Sequence, residues 1–265
     1  MSDQYAVMGS PVSHSLSPRI HHLFAQQTGQ DLYYGKIEIN EDLFEQQLRD
    51  FFDAGGKGLN ITLPCKQRAF SLVDDATARC KLAQAANTLW LHQGRLQGDN
   101  TDGVGLLRDL SGHCQLAGKN ILLLGAGGAA RGVIGPLLAA NPASLTIANR
   151  TLQKAIMLQQ QFPLALVGDF AALSGIYDLV INATSASLGK GVSELPAMLL
   201  ANQPFCYDLM YQLHGNTSFV NWAQQHGCQA IDGLGMLVEQ AAEAFFIWRG
   251  VRPDIAATLA NLRSG

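Results

Sequence analysis

A glycine-rich turn between a buried strand and a helix constrains the fold of this chain more than any other segment. Residues 121–124 are apolar and strand-like, and Gly125, Gly127 and Ala130 follow in a Gly-x-Gly-x-x-Ala pattern that opens a helix. In this pattern the first glycine makes a tight turn, the second admits a pyrophosphate, and the small third residue lets helix and strand pack closely. A turn that serves packing alone is the alternative. With its strand and helix, the turn predicts a dinucleotide-binding unit.

Strand and helix signals alternate on both sides of this turn. Beyond residue 119, strands separated by helices are predicted at 121–124, 144–148, 164–167, 178–182, 206–209 and 229–231. Strands spaced in this way predict a parallel, doubly wound sheet. The first hundred residues form an α/β unit of their own that ends in a hairpin. We therefore predict a two-domain α/β fold, an N-terminal substrate domain and a Rossmann-type domain, with the active site in the cleft between them.

The composition argues against several other classes of protein. The chain has 265 residues, 48% of them hydrophobic, which is enough for a sizeable core. A net charge of −3 without a basic block argues against nucleic acid or an anionic membrane as partner. No apolar run is long enough to span a bilayer, and no signal peptide is predicted. The five cysteines are scattered and odd in number, so we expect reduced thiols, no metal site and a cytoplasmic location.

The residues after the second strand of the Rossmann-type domain predict which dinucleotide binds. NAD enzymes usually carry an acidic residue there, which binds the ribose hydroxyls. This chain has Asn149, Arg150 and Thr151 instead, with Lys154 one turn later. An arginine beside amide and hydroxyl groups suits a 2′-phosphate, although Thr151 could serve only as a helix cap and Arg150 could be solvated. The missing acid favours NADP over NAD.

Lys66 and Asp102 are the residues that we predict to carry proton chemistry. Lys66 lies in the first turn of a predicted helix, where the helix dipole disfavours its charge. A lysine kept there is a candidate for proton transfer near neutral pH, and a solvated side chain is the alternative. Asp102 lies at the junction of the two domains and could simply cap a helix. A carboxylate beside Lys66 would hold its ammonium in place while a proton passes to and from a hydroxyl.

Further polar residues are predicted to bind a small-molecule substrate. Ser17 is expected to cap the first helix and Gly29 to end it, which leaves Ser15 freer to bind a ligand carboxylate. Gln240 lies on an apolar helical stripe and needs a partner, which is either an internal hydrogen bond or a ligand. Tyr211 follows the carboxyl end of a parallel strand, where ligands of open α/β sheets bind, or it packs between domains.

These segments together resemble the shikimate dehydrogenase family over nearly the whole chain. The segments that carry the resemblance are Ser15-x-Ser17, Asn60-x-Thr62-x-Pro64-x-Lys66, Asn87-Thr88, residues 98–103, residues 125–131, Asn149-Arg150-Thr151, Asn182-Ala183-Thr184-Ser185, Tyr207-Asp208-x-x-Tyr211 and Asp232-Gly233-x-Gly235-Met236-Leu237-Val238-x-Gln240. Their order and spacing are specific to the family. The sequence departs from the usual pattern at residues 84–86 and at Ser218, and neither departure touches a predicted ligand contact.

The resemblance implies a reversible, NADP-linked oxidation of shikimate to 3-dehydroshikimate, in the pathway to chorismate and the aromatic amino acids. Lys66 and Asp102 are implied to be the catalytic pair. The substrate carboxylate is implied to bind Ser15 and Ser17 with help from Tyr211. The ring hydroxyls are implied to bind Asn60, Asn87, Asp102 and Gln240, with Thr62 nearby.

The resemblance also implies a set of residues for NADP(H) and a division of the chain. In the glycine-rich loop, the pyrophosphate is implied to bind Gly125, Gly127, Gly128 and Ala129. The adenosine phosphate is implied to bind Asn149, Arg150, Thr151 and Lys154. The residues implied to lie beside the nicotinamide are Thr184, Met210, Gly233 and Met236. The last two helices are implied to return to the first domain. Residues 1–102 with 237–265 would then form the substrate-binding and catalytic domain, and residues 103–236 the NADP-binding Rossmann domain.

Two alternative functions stay open at this point. One is a quinate/shikimate dehydrogenase that accepts NAD, against which Arg150 argues. The other is a catalytically silent NADP-sensing protein, in which the joint presence of Lys66, Asp102 and Gln240 would have no explanation. Lys66 would either transfer the proton or stabilise the charge that develops on oxygen. The chain is predicted to be a monomer or a homodimer.

Overall fold

The computed structural model describes residues 2–169, 173–184 and 196–264. The chain divides into two compact units, of which unit 1 comprises residues 1–105 and 238–265 and unit 2 comprises residues 106–237. It passes from one unit to the other within two helices, Asp102–Ser111 and Leu234–Arg249. Ser185, the last residue of one of the predicted motifs, lies outside the described residues.

Unit 1 contains a mixed β-sheet flanked by helices. Its described elements are β1 (Asp3–Gly9), α1 (Ser17–Thr28), β2 (Leu32–Glu38), α2 (Phe44–Asp53), β3 (Gly58–Ile61), α3 (Lys66–Leu72), β4 (Asp75–Ala76), α4 (Ala78–Ala83), β5 (Thr88–His92), β6 (Arg95–Asp99) and the start of α5 (Asp102–Ser111). The strands lie in the order β2-β1-β3-β5-β6-β4. β1 pairs in parallel with β2 and β3, whereas β5 is antiparallel to β3 and β6. The predicted hairpin is therefore confirmed as β5 and β6.

The first helix of unit 1 begins one residue earlier than its predicted cap requires. Leu16 holds the cap position of α1 without a side-chain hydrogen bond, Ser17 is already helical, and Pro18 lies in the first turn. The prediction that Ser17 caps the helix is wrong, because a cap residue has a non-helical backbone and Ser17 is already helical; its hydroxyl accepts from Ser15 Oγ instead. The predicted stop at Gly29 is confirmed, since this residue adopts the left-handed conformation that ends helices.

Unit 2 is built on a sheet whose described strands are all parallel. Its elements are β7 (Asn120–Leu124), α6 (Gly128–Ala139), β8 (Ser144–Asn149), α7 (Leu152–Gln161), β9 (Leu166–Asp169), β10 (Leu179–Asn182), β11 (Phe205–Asp208), α8 (Ser218–Gln225) and β12 (Ala230–Ile231). The chain then leaves unit 2 through α9 (Leu234–Arg249) and ends with α10 (Ile255–Ser264) in unit 1. The strand order is β12-β11-β10-β7-β8-β9. This is the doubly wound Rossmann order, so the predicted fold class is confirmed.

The hydrophobic pattern of β7 explains why this strand is central. Ile121 and Leu123 pack into one buried cluster, and Leu122 and Leu124 pack into a second. Successive side chains of a strand point to opposite faces, so a continuous apolar run belongs to a sheet covered on both sides. The order of strands reverses between β7 and β10, and ligands of open α/β sheets bind at such a switch point.

One strand of unit 2 lies two residues later than its sequence predicts. The prediction was 164–167, and the strand is Leu166–Asp169. The backbone N–H of Ala165 donates to the carbonyl of Phe162 at 2.9 Å, so residues 162–165 form a turn before the strand begins.

Candidate active site

Lys66 and Asp102 form a close ion pair in unit 1. Lys66 is the first residue of α3, as its sequence context predicts, and its Nζ donates to Asp102 Oδ2 at 2.5 Å. The two side chains are 15% and 8% exposed, so the pair is shielded from solvent but still accessible. Asp102 opens α5, and its backbone N–H donates to Asn100 Oδ1 at 3.2 Å. The structure thus brings together the two residues predicted for proton chemistry.

The second oxygen of Asp102 is held by Asn87. Asn87 Nδ2 donates to Asp102 Oδ1 at 2.8 Å and to Thr101 Oγ1 at 3.0 Å. Asn87 Oδ1 accepts from the Thr101 backbone N–H and from Thr88 Oγ1, both at 2.9 Å. Both polar atoms of this buried amide are therefore used inside the protein. Each Asp102 oxygen faces a donor, one from Lys66 and the other from Asn87.

Asn60 lies next to Asn87, and its side chain forms hydrogen bonds with other residues of unit 1. Its Nδ2 donates to the Asn87 carbonyl at 3.0 Å and to Thr88 Oγ1 at 3.1 Å. Its Oδ1 accepts from the Tyr34 hydroxyl at 2.7 Å. Both hydrogens of the Asn60 amide are therefore used inside the protein, and its Oδ1 keeps a second lone pair for the ring hydroxyl that the resemblance implies. No sequence pattern pointed to Tyr34 or to this arrangement.

The other residues predicted for the substrate occupy several elements. Ser15 Oγ donates to Ser17 Oγ at 3.2 Å. Ser17 is the first residue of α1, and Ser15 precedes the helix. Gln240 lies on α9, and its Oε1 accepts from Thr101 Oγ1 at 3.4 Å, which places it next to Asn87 and Asp102. Thr62 follows β3, and its backbone N–H donates to Met8 O at 2.9 Å. Within unit 1, Gln240 on α9 therefore lies next to Asn87, Thr101 and Asp102, far from them in the sequence.

Tyr211 lies in unit 2, beyond the carboxyl end of β11. Its side chain is half-buried, and this burial raises the pKa of its hydroxyl above the usual 10.0. The phenol is therefore neutral at physiological pH and can donate a hydrogen bond to a carboxylate.

A buried ion network that the sequence reasoning missed anchors the segment leading to Asp102. Arg79 Nε and Nη2 donate to the two oxygens of Asp99 at 2.7 and 2.6 Å, and Nη2 also donates to Glu243 Oε1 at 3.0 Å. Asp99 Oδ1 accepts from the Asn100 backbone N–H at 2.7 Å. Asp99 lies inside the motif of residues 98–103, and that position is the signal that could have found it.

The glycine-rich turn of unit 2 has the geometry that a pyrophosphate requires. Gly125 has φ of +108°, and a Cβ built on it would lie 3.0 Å from the Ala183 carbonyl, so only glycine fits at this point. A Cβ built on Gly127 would meet nothing within 4 Å, which leaves open space in front of the first turn of α6. No side chain caps α6, and Ala130 is fully buried against the sheet. The residues present fit the pyrophosphate of a dinucleotide on this helix N-terminus.

The end of β8 presents the residues predicted for the adenosine phosphate. Arg150 and Lys154 are exposed. Thr151 occupies the cap position of α7 but makes no side-chain cap hydrogen bond. The turn is held instead by Asn149, whose Nδ2 donates to the Thr151 carbonyl at 2.9 Å. The alternative in which Thr151 only caps the helix is therefore not supported by its contacts.

Two residues organise the segments predicted to lie beside the nicotinamide. Asn182 and Asp208 face each other at the ends of β10 and β11 and share a hydrogen bond of 3.0 Å. Asn182 Oδ1 accepts from both the backbone N–H and the hydroxyl of Thr184, at 3.1 and 2.7 Å. Asp208 Oδ1 accepts from the Met210 N–H at 3.1 Å, and the Met210 carbonyl accepts from Gly233 at 3.0 Å.

The described residues contain neither a metal-binding cluster nor a membrane-spanning helix. Among them, no group of three or more His, Cys, Asp or Glu side chains is placed to hold a metal ion. Within the same ranges, no helix combines the length and the hydropathy that a membrane span requires. All five cysteines are free thiols.

The fold and these sites define a class of protein. A Rossmann sheet with a glycine turn at its switch point, together with a paired lysine and carboxylate in a second α/β unit, defines a two-domain dinucleotide-dependent dehydrogenase. Family models agree: "Shikimate dehydrogenase substrate binding domain" matches residues 7–89, "Shikimate / quinate 5-dehydrogenase" matches 108–189, and "Shikimate 5'-dehydrogenase C-terminal domain" matches 233–263.

Individual relatives place the chain more narrowly. It is 56% identical over 264 residues to the shikimate dehydrogenase (NADP(+)) of Legionella pneumophila (strain Lens), which covers 100% of both chains. The chain belongs to the shikimate dehydrogenase family. Among solved structures it is similar to an Ael1 enzyme from Pseudomonas putida, with a TM-score of 0.92, 47% identity and 98% of each chain covered. It is also similar to shikimate 5-dehydrogenase from Thermus thermophilus in complex with NADP(H) and shikimate, with a TM-score of 0.90, 32% identity and 99% of each chain covered.

Proposed function

We propose that this chain is an NADP-dependent shikimate dehydrogenase, which reversibly reduces 3-dehydroshikimate to shikimate on the route to chorismate and the aromatic amino acids. The observation that carries the proposal is the hydrogen bond of 2.5 Å between Lys66 Nζ and Asp102 Oδ2. This pair occurs in a chain that is 56% identical, over its whole length, to a shikimate dehydrogenase (NADP(+)).

Lys66 supplies the proton in this reaction. When bound, NADPH would supply the hydride for the carbonyl carbon of the substrate, and the carbonyl oxygen would then need a proton. The Lys66 ammonium gives that proton when a hydroxyl forms, and the neutral Lys66 amine accepts a proton when the hydroxyl is oxidised. Asp102 keeps the ammonium oriented through Oδ2 while Asn87 holds its Oδ1. Before the proton moves, the ammonium also stabilises the negative charge that develops on the oxygen.

The substrate is held through its carboxylate and its ring hydroxyls. Ser15 and Ser17 bind the carboxylate, and Tyr211 is a further donor to it. The proposed contacts of the ring hydroxyls are Asn60, Asn87, Asp102 and Gln240, with Thr62 nearby. Gln240 and Asn87 are supported by their position, since Thr101 contacts both of them.

Unit 2 is the proposed site of NADP. Gly125, Gly127, Gly128 and Ala129 bind the pyrophosphate at the start of α6, where Gly127 leaves open space. Arg150 and Lys154, with Asn149 and Thr151, bind the 2′-phosphate. Thr184, Met210, Gly233 and Met236 lie beside the nicotinamide. We accordingly propose that unit 1 is the substrate-binding domain and unit 2 the cofactor-binding domain.

The proposal extends to a cellular location and an assembly state. The five free thiols favour the reducing cytoplasm. The chain is predicted to act as a monomer or a homodimer, and sedimentation of the purified protein would distinguish the two.

The decisive experiment is a rate measurement with two substrates and two cofactors. Formation of NADPH from shikimate and NADP, at a rate well above the rates with quinate or NAD, would support the proposal. Comparable rates with quinate would favour a quinate/shikimate dehydrogenase, which the family model matched at residues 108–189 also names. Binding of NADP without turnover of either substrate would overturn both.

A further inference from the structure

We propose that Tyr34, Asn60 and Thr88 are positioning residues for the Lys66–Asp102 pair, acting through a one-way chain of hydrogen bonds. The chain runs from Tyr34 to Asn60, Thr88 and Asn87, and it ends on the Asp102 carboxylate. Each member donates to the next. The inference rests on the proposed function, because it concerns the group that orients the Lys66 ammonium.

The direction of the chain follows by elimination from Asp102. Carboxylate oxygens beside an ammonium only accept, so the Asn87 atom 2.8 Å from Asp102 Oδ1 has to be Nδ2. Asn87 Oδ1 then accepts from the Thr88 hydroxyl at 2.9 Å. A hydroxyl has a single hydrogen, so Thr88 Oγ1 in turn accepts from Asn60 Nδ2 at 3.1 Å. Asn60 Oδ1 is left to accept from the Tyr34 hydroxyl at 2.7 Å.

Backbone groups fix the same direction independently. The N–H of Thr101 can only donate, and it lies 2.9 Å from Asn87 Oδ1. The carbonyl of Asn87 can only accept, and it lies 3.0 Å from Asn60 Nδ2. The two amides are thus oriented by the backbone in the way that an ionised Asp102 requires. Agreement between the two ends shows that the chain has one direction and that it presents N–H to Asp102.

Burial makes the chain rigid. Thr88 is fully buried, and Tyr34, Asn60 and Asn87 are each less than 9% exposed, so water does not replace a lost partner. A buried polar atom without its partner is costly, and hydrogen bonds in series strengthen one another. The Tyr34 ring is itself fixed by stacking on His21, with ring centroids 4.1 Å apart and planes 8° from parallel. The position of the Tyr34 hydroxyl is therefore set by the aromatic core.

The consequence is that Tyr34 and Thr88, which lie outside the predicted substrate contacts, set the geometry of the proton donor. Removal of the Thr88 hydroxyl takes a donor from Asn87 Oδ1 and an acceptor from Asn60 Nδ2. The Asn87 side chain is then held by Thr101 and Asp102 alone, so the donor to Asp102 Oδ1 is less firmly fixed. The ammonium of Lys66 should lose alignment with the substrate oxygen, which affects the proton step more than substrate binding.

The first test compares Thr88→Val, Thr88→Ser and Thr258→Val. Thr88→Val should lower kcat about tenfold, the effect of about 1.4 kcal/mol on the activation barrier, with little change in KM. Thr88→Ser keeps the hydroxyl and should restore kcat. Thr258 is a matched control on α10, since it is also fully buried and hydrogen-bonded through its hydroxyl, to Gln27 and Asp254. Wild-type kcat in Thr88→Val would overturn the inference, as would an equal loss in Thr258→Val.

The second test uses Tyr34→Phe, which deletes one oxygen and keeps the ring. It should lower kcat with little change in KM, whereas Tyr5→Phe in the same aromatic cluster should not. The double variant of Tyr34→Phe and Thr88→Val should lose less than the product of the two single effects, because both break one chain. A double effect equal to that product would overturn the inference. If Thr88→Val does not fold, the comparison of Tyr34→Phe with Tyr5→Phe still tests the inference.

A readout that needs no turnover separates this inference from the proposed function. The side-chain amide resonances of Asn87 report its hydrogen bond to Asp102. They should shift in Thr88→Val and stay unchanged in Thr258→Val. If the wild-type protein does not oxidise shikimate, the proposed function fails and this spectrum still decides on the chain. Unchanged Asn87 resonances in Thr88→Val would overturn it.

Discussion

Lys66 and Asp102 lie 36 residues apart in the chain and meet with 2.5 Å between Nζ and Oδ2. Lys66 opens α3 and Asp102 opens α5, so both side chains project from the first turn of a helix. The positive end of a helix dipole lies at the first turn, so the dipole of α5 favours the Asp102 carboxylate and the dipole of α3 disfavours the Lys66 ammonium. The ion pair with Asp102 therefore offsets the unfavourable interaction between the Lys66 ammonium and the dipole of α3.

Replacement of Lys66 by alanine should remove most of the turnover. General acid–base groups contribute about 10²–10⁴-fold to rate, so kcat of Lys66→Ala should fall by that order while KM for shikimate changes much less. Steady-state kinetics in both directions would measure this. Lys81→Ala, on the exposed side of α4, is the control and should keep its rate. Near-normal turnover of Lys66→Ala would rule out the catalytic role.

The two glycines of the pyrophosphate turn should fail in different ways when changed to alanine. Gly125→Ala places a side chain at φ of +108° and 3.0 Å from a carbonyl oxygen, so the free energy of unfolding should fall by about 1–3 kcal/mol. Gly127→Ala has an ordinary φ of −90° and open space around the new methyl, so stability should be kept. The Kd of the Gly127→Ala variant for NADP should rise about tenfold or more, because the new methyl group occupies space that the pyrophosphate needs.

Chemical denaturation and calorimetric titration with NADP measure the two effects separately. Tight binding of NADP to a stable Gly127→Ala variant would contradict the proposed cofactor site. A Gly125→Ala variant as stable as the wild type would contradict the strain argument.

Arg150→Ala should change the cofactor preference. A hydrogen bond to a charged group contributes about 1.5–3 kcal/mol, so KM for NADP should rise about 10- to 100-fold. KM for NAD should stay the same, because NAD has no 2′-phosphate. Arg49→Ala on the exposed face of α2 is the control. A similar rise in KM for both dinucleotides would show that Arg150 does not bind the 2′-phosphate.

His21 should make the protein less stable in acid. Burial lowers the pKa of His21 from 6.5 to about 3 in the folded protein, among the rings of Phe24, Tyr34, Phe245 and Trp248. Between these values the unfolded chain takes up a proton that the folded protein does not. The free energy of unfolding therefore falls as pH decreases through this window, by up to about 1.4 kcal/mol per pH unit from this group.

The variant His21→Phe isolates that contribution. Between about pH 7.5 and about pH 5 it should lose about 2 kcal/mol less stability than the wild type, since the unfolded chain no longer gains this proton. Urea denaturation at the two pH values measures the difference. His22→Phe is the control, because His22 is exposed on the same helix. Equal losses in His21→Phe and wild type would contradict the assignment.

Patterns read over a few neighbouring residues predicted local structure well and side-chain partners less well. The hairpin, the parallel sheet, the stop at Gly29 and the place of Lys66 in a first turn are all confirmed. The cap predicted for Ser17 is wrong, and the Thr151 hydroxyl makes no cap bond. A hydroxyl before a helix has several possible hydrogen-bond partners. The backbone conformation that decides between them depends on residues distant in the sequence.

The sequence by itself determined the class of fold, the dinucleotide turn and the segments that carry the chemistry. These depend on periodicity, on glycine positions and on charge, which are local properties of a chain. Only the tertiary structure decided which polar groups are satisfied internally. Tyr34 and Asn60 are 26 residues apart, Asn60 and Thr88 are 28 apart, and their contacts exist only because β2, β1, β3 and β5 lie side by side. Burial then forces each polar atom to find a partner, and that requirement selected the partners of Asn60 from distant strands.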